Sequence, residues 1–577
     1  MVTAFPATIA ALVKLDGFST VGPVVLGFDR DIDTRGIEEA MALVDVDEAS
    51  PARGKRVALV PKYYTTSEEG SVDASPGTVF DPLAESPDFT LLAQPAEPLR
   101  PRTRYLFVLG DRARAARGGP LRATKETQAL LRDEPGDYAE SVRRALPYAE
   151  SAGIGKDHVV LATVFTTESV RDVLEATAAE RRAAPAPRLV QPFTVQQSGT
   201  NGDGRVRFVA RYEAPEYRRP KPVGTFDVQG DRASPRSTVG LEVFLVFSDA
   251  RKSGPRPIVI FGHGLGGDKD GTWGTAERLA ELGVAVVGID APEHGSRLDP
   301  PGAPGKDDLL KSVLGFFAAD IGTKTFDMER VRDNFRQMAL DQLELVRLLR
   351  SLGTLDLLPS GAPDGVPDLD PTRILYVGHS FGSVMGPTIG ALAPEIKAAC
   401  WNVGGAGLLT LMRDSGLFSL IVNSFRPPGT PAADVARFFA VTQAIVDPGD
   451  PLNFARFNTQ EALPGVEGWE PKDVLIQEVE KDNIVPNSST EVLARAAGLV
   501  HVGAPTHEVP HLPRASAPLS ANLRGGKVGG FFQFATADGE PASHGALIFT
   551  DEARKQYLEL FRGSLAGRGV IVDPRAR

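Results

Sequence analysis

A serine attacks a carbonyl only if its hydroxyl is held clear of the backbone and its proton has somewhere to go. Gly378-His379-Ser380-Phe381-Gly382 meets the first condition. It fits G-x-S-x-G, the sharp strand-to-helix turn that exposes a serine Oγ, where side chains at the flanking positions would collide with the neighbouring strand and helix. So short a pattern is decided by its setting. Residues 373–377, apolar from Ile374 onward, are a strand candidate leading directly into the motif, and 383–392 can form the helix that follows. The rival reading, a serine in an ordinary glycine-rich loop, predicts neither flank.

The second condition requires a base, and the base requires a carboxylate to orient it. With a serine on this kind of turn the chain order is Ser, then Asp or Glu, then His, so both partners are sought downstream. Asp482 follows the apolar run 474–479 and would sit where a core strand leaves the sheet at its C-terminal end. The alternative is a turn-capping aspartate before Pro486. Four histidines follow the serine: His501, His507, His511 and His544. His544 is preferred because it lies after the last strand-like segment, 530–535, and before a closing helix at 551–562; a solvated loop histidine is its rival. The oxyanion of a tetrahedral intermediate needs two N–H donors. Phe381, the residue after the nucleophile, would supply one. Leu265, in the loop after the apolar run 258–261, would supply the other, with His263 and Gly264 lining the substrate site beside it.

Two further patterns overlap these residues. Gly262, Gly264 and Gly267 satisfy G-x-G-x-x-G, with Asp290 at about the distance of a ribose-binding acid. Asp268 and Asp270 would then put negative charge beside a pyrophosphate, and the helix that should open inside the motif is delayed, so dinucleotide binding is not expected. His507-Glu508-Val509-Pro510-His511 matches H-E-x-x-H. That signature needs a helix to bring both histidines to one face, and Pro510 breaks it, so no zinc-protease centre and no metal is expected.

These residues need a scaffold. The chain has 577 residues, more than one hydrophobic core usually serves, with 42% hydrophobic and 24% charged residues, as in an ordinary globular protein. A net charge of −11 offers no basic field for nucleic acid. Its one cysteine, Cys400, excludes an intrachain disulfide and sits in an apolar stretch that predicts burial. No run reaches the roughly 18 apolar residues of a membrane span, and no export-signal pattern opens the chain. Short β-like runs at 24–28, 56–60, 89–92 and 105–109 predict a small β-sandwich over residues 1–121. Helical patterns at 126–131, 138–149 and 169–182, with an apolar run at 158–165 and a proline-rich stretch at 183–192, predict a connecting subdomain and linker over 122–192. From 193 to 577 strand and helix alternate, which predicts a mostly parallel sheet covered on both faces, interrupted by an insertion at about 404–470.

Several stretches together resemble the bacterial extracellular lipases that carry an Ig-like domain ahead of an α/β-hydrolase domain. They are Leu15-Asp-Gly-Phe-Ser-Thr20, Leu99-Arg-Pro-Arg-Thr-Arg-Tyr105, His263-Gly-Leu-Gly-Gly267, the serine motif, and Val441-Thr-Gln-Ala-Ile-Val-Asp-Pro-Gly-Asp-Pro451. The resemblance implies hydrolysis of small-molecule or lipid esters, without an organic cofactor, in a secreted or cell-envelope setting. Leu408, Met412 and Phe418, in the dense apolar part of the insertion, are then expected to contact substrate, as a lid meeting a lipid interface or as a buried cap. Thioester, amide or polyester cleavage remains open on the same triad. An adhesion protein with an inert hydrolase fold is the reading from another class.

Overall fold

The computed structural model describes residues 6–65, 89–132, 135–199, 204–298, 308–427 and 430–576. Their contacts divide the chain into two compact units: Met1–Val170 with Gly407–Pro448, and Arg171–Ala406 with Gly449–Arg577. No described helix is long and apolar enough to cross a membrane.

The first unit is built on two antiparallel sheets. Strands Val24–Phe28, Phe89–Pro95 and Leu59–Tyr64 form one, in that order, and Arg56–Val57, Met41–Asp45, Arg104–Gly110 and Val159–Thr166 form the other. Alternation with period two points Leu26, Leu59 and Leu91 from one sheet and Met41, Leu43, Tyr105 and Phe107 from the other into a shared core. The opposite face of the second sheet, with Ala42, Val44, Leu106 and Val108, is covered by Val142, Leu146 and Ala149 of helix Asp137–Ser151. Burial on both faces explains why the first four residues of Met41–Asp45 read as a continuous apolar run rather than an alternating one.

Two boundaries differ from the sequence reading. Residues 122–170 close upon this sandwich through that helix and through Val159–Thr166, which pairs with Arg104–Gly110, so their contacts belong to the first unit. Helices Leu408–Asp414, Gly416–Phe425 and Ala432–Val446, expected as an insertion in the hydrolase domain, also fall in the first unit. There Ala433, Ala436 and Ala440 of the third helix, on one helical face, pack on Tyr64 and Leu92.

The second unit carries an eleven-stranded sheet. Its strands are β1 Leu189–Ser198, β2 Val206–Glu216, β3 Ser237–Phe247, β4 Arg256–Gly262, β5 Ala285–Ile289, β6 Leu369–His379, β7 Ile396–Asn402, β8 Asp473–Val479, β9 Val500–Val502, β10 Arg514–Ala515 and β11 Gly529–Phe534. Their spatial order is β1-β2-β3-β5-β4-β6-β7-β8-β11-β9-β10. From β5 to β10 every pairing is parallel, while β1, β2 and β3 pair antiparallel at one edge. Parallel neighbours must be joined by crossovers, and the helices that make them cover both faces. One face of the sheet, with Val259, Leu375, Cys400, Leu475 and Phe532, packs on Ala553, Tyr557 and Phe561 of helix Asp551–Leu565. The alternate residues Tyr376 and Trp401 face helix Phe381–Leu392, where Gly386 lies against the Trp401 ring and Tyr376 Oη donates to Gly382 O at 2.5 Å. Cys400 is fully buried, and burial raises its thiol pKa far above the ordinary range.

Candidate active site

Because β4, β6, β8 and β11 run parallel, the loops that leave their C-terminal ends gather at one edge of the sheet. Each residue singled out around Ser380 in this unit comes from one of those loops. β6 is central and runs straight into the turn. Ser380 stands between it and the helix with φ 52° and ψ −115°, a backbone conformation that costs a non-glycine residue energy and is kept only where its surroundings impose it. Two glycines make room for it. A Cβ on Gly378 would lie 2.6 Å from Gly382 C, and one on Gly382 would lie 2.1 Å from Gly262 O.

The turn is tied to β7 through Asn402. The carbonyl of Asn402 accepts the Ser380 N–H at 2.9 Å and the Ser383 Oγ–H at 2.8 Å, and its side-chain oxygen meets His379 Nδ1 at 2.9 Å. Its amide nitrogen donates to Gln477 Oε1 at 2.8 Å, and Gln477 passes the chain on to Gln556 at 3.0 Å. A polar ladder therefore crosses from the sheet to the closing helix directly beneath the serine. Burial drives the His379 pKa down to about 4, so this ring is neutral at ordinary pH.

Asp482 and His544 are brought to the same point. His544 Nε2 lies 2.7 Å from Ser380 Oγ, and His544 Nδ1 lies 2.6 Å from Asp482 Oδ2. All three side chains belong to residues less than a tenth exposed. A carboxylate can only accept, so the shared proton sits on Nδ1 and leaves Nε2 as the acceptor for the serine hydroxyl. Asp482 is itself held: its other oxygen accepts the N–H groups of Ile484 at 2.8 Å and Val485 at 3.1 Å. The remaining histidines stand apart from this group. His501 and His507 are hydrogen-bonded to Gln533, and His511 takes a positive φ in a turn.

The loop after β4 approaches the serine closely. A Cβ on Gly264 would lie 3.7 Å from Ser380 Cβ. Neither the Leu265 N–H nor the Phe381 N–H donates to a protein acceptor among the described residues. The Phe381 ring is fixed beneath its own backbone, stacked on His294 at 5.1 Å and edge-on to Phe316 at 4.7 Å.

His263 differs from its expected role as a substrate contact. It is 3% exposed, and both ring nitrogens are taken, Nδ1 by Gly264 O at 2.9 Å and Nε2 by the Ala291 N–H at 3.0 Å. It braces the loop from behind, and burial lowers its pKa. Asp290, the acid of the dinucleotide pattern, is likewise consumed: it accepts from Lys269 N and Nζ and from Ser296 N and Oγ, all within 2.9 Å. Burial opposes charge on Lys269 and Asp290, but each outweighs it for the other, so the lysine pKa is raised and the aspartate pKa lowered. The sequence pattern singled out Asp290 for a different role, and nothing in it distinguished Lys269 or Asn402 from ordinary polar residues.

Leu408, Met412 and Phe418 lie in the first unit and are 2%, 2% and 3% exposed, while Leu420 beside them is 74% exposed.

No known family model matches the chain, and no curated protein matches it. Among solved structures it is similar to an acetyl xylan esterase from a Paenibacillus species, at 15% identity over 67% of this chain and 91% of that one, with a TM-score of 0.38. It is similar to acetyl xylan esterase 1 from a Thermoanaerobacterium species, at 14% identity, 64% and 87% coverage and a TM-score of 0.36. A glucuronoyl esterase from Solibacter usitatus aligns at 13% identity, 66% and 87% coverage and a TM-score of 0.35. The sheet order of this unit, with its serine turn between a central strand and the following helix, is that of an α/β-hydrolase.

Proposed function

We propose that the protein is a serine hydrolase that cleaves carboxylic esters through an acyl-enzyme. The observation that carries this reading is the imidazole of His544 standing 2.7 Å from Ser380 Oγ and 2.6 Å from Asp482 Oδ2. His544 takes the proton of Ser380 as the oxygen attacks the ester carbonyl, then returns it to the departing alcohol. Water, deprotonated by the same imidazole, releases the acid. Asp482 keeps the ring in the required tautomer and stabilises the imidazolium. The N–H groups of Leu265 and Phe381 receive the oxyanion, each worth on the order of 100-fold to 1,000-fold in rate. An active-site-directed fluorophosphonate is expected to label the parent stoichiometrically and Ser380→Ala not at all; equal labelling of the two would assign the nucleophile elsewhere.

Lipase action is the finer reading. The apolar helices that hold Leu408, Met412 and Phe418, with Leu420 outward, have the composition of a lid that meets lipid, and the family resemblance adds an Ig-like first unit and a secreted or cell-envelope setting. Turnover of long-chain esters is then expected to rise steeply once substrate exceeds its solubility limit. A rate that stays level across that limit would favour an esterase acting on dissolved or polymeric esters.

A further inference from the structure

His507, rejected as part of a zinc-protease helix, lies in a different cluster. The structure breaks the motif as expected, with a turn at Pro510 and a positive φ at His511. His507 instead meets two glutamates from elsewhere in the second unit: Glu478 on β8 and Glu491 on helix Asn487–Ala496. His507 Nε2 lies 2.8 Å from Glu491 Oε1 and 4.0 Å from Glu478 Oε2, and one donor atom from each residue falls within 4.8 Å of the others. We propose that Glu478, Glu491 and His507 bind one divalent transition-metal ion, zinc by their chemistry, which clamps the loop after β9 and the helix Asn487–Ala496 to β8.

Donor spacing supports the size of the ion. Bonds of about 2.0–2.1 Å at tetrahedral angles set ligand atoms roughly 3.3 Å apart, and the two measured separations straddle that value. The donor set of one imidazole and two carboxylates suits zinc, cobalt or manganese, whereas calcium needs six to eight oxygens. A second observation points to a missing cation. Glu478 is 1% exposed; one of its oxygens accepts from Gln533 Nε2 at 2.9 Å, and the other, Oε1, is buried with no hydrogen-bond partner. The adjoining Asn487 amide gives one N–H to Val479 O at 2.7 Å, and burial together with Glu491 raises the Glu478 pKa well above the ordinary range although the Asn487 and Gln533 side chains lower it. Arg495 stands 3.9 Å from Glu491 Oε2 and donates to Pro510 O at 3.2 Å. A carboxylate so placed is costly unless a positive charge reaches it. His507 is a third exposed at its side chain, which leaves a route for an ion to enter and for water to complete the coordination. The Gln533 amide nitrogen lies 3.1 Å from His507 Nε2 and 3.3 Å from Nδ1, and would have to give up the first contact as the ion takes Nε2.

The test uses the full chain, stripped with a chelator and then freed of it. Titration with zinc chloride, followed by elemental analysis and thermal melting, is expected to give one bound equivalent and a rise in Tm, while calcium chloride gives neither. Glu491→Gln, which preserves shape, and His507→Ala, at a partly exposed position, are each expected to weaken zinc binding by roughly a hundredfold or more. His511→Ala should bind as the parent does. Failure of the stripped parent to take up an equivalent of zinc, cobalt or manganese would overturn the proposal. So would undiminished binding by both Glu491→Gln and His507→Ala, since the ion would then sit elsewhere. None of these readouts uses ester turnover, so the result is independent of the triad.

Discussion

Asp482→Asn is expected to lower kcat for ester hydrolysis by about 10⁴-fold at neutral pH while leaving the fold intact. The argument lies in what already holds the carboxylate. One oxygen of Asp482 accepts two backbone N–H groups, from Ile484 and Val485, and the other faces His544 Nδ1. An asparagine must keep its carbonyl on the two N–H groups, because turning it around would leave both unsatisfied at about 1–3 kcal/mol each. Its NH2 then points at Nδ1, which has to become an acceptor. The ring proton moves to Nε2, the atom 2.7 Å from Ser380 Oγ, and the base is lost without any change of shape. Steady-state kinetics together with a thermal melt separate this from misfolding: Tm should stay near that of the parent. A loss of less than tenfold would mean that His544 is not working through Nε2.

The parts of this site that could be read from the sequence are those governed by local order. A strand, a G-x-S-x-G turn and a helix are contiguous, so Ser380 could be located from its flanks, and the order Ser, Asp, His narrowed the choice of partners. The core strands expected from the apolar runs leading to the serine motif, to Leu265 and to Asp482 all lie in the sheet, because strands buried on both faces show as unbroken apolar runs. What could not be read depends on register between distant segments. Asn402 serves the turn only because β7 pairs with β6 so that His379 lies opposite it, and Gln477 continues the ladder only because β8 pairs likewise with β7. His263 illustrates the converse. Its place in a glycine-rich loop suggested substrate contact, but a loop that turns back on the chain near Ala291 uses both nitrogens for its own support. In the segment that carries Leu408, Met412 and Phe418, high apolar density left a lid and a buried cap equally open, and composition carries no information about which unit would supply a burying surface.

Gly382→Ala and Gly274→Ala make the same chemical change and are expected to move stability in opposite directions. In Gly382→Ala the new Cβ would lie 2.1 Å from Gly262 O and 2.3 Å from Gly262 C, so the obstacle is backbone on both sides. Neither side can yield cheaply: Gly262 ends β4 in register with Gly378, and Gly382 O accepts the Tyr376 hydroxyl. Overpacking where side chains can shift costs typically 1–3 kcal/mol; here the first turn of the helix would have to leave β4, and a cost above about 4 kcal/mol is expected. Since that turn presents Ser380, turnover should vanish along with a fall in Tm of about 5 °C or more. Gly274 sits exposed in helix Thr272–Arg278 with nothing within 4 Å of a Cβ, so alanine there only removes backbone freedom from the unfolded chain and should add up to about 1 kcal/mol. Melting both variants beside the parent tests the close approach of helix and strand on which the geometry of Ser380 depends. A Gly382→Ala protein that melts and turns over like the parent would mean that this approach is not maintained in solution, and the strained serine would then have nothing to hold it.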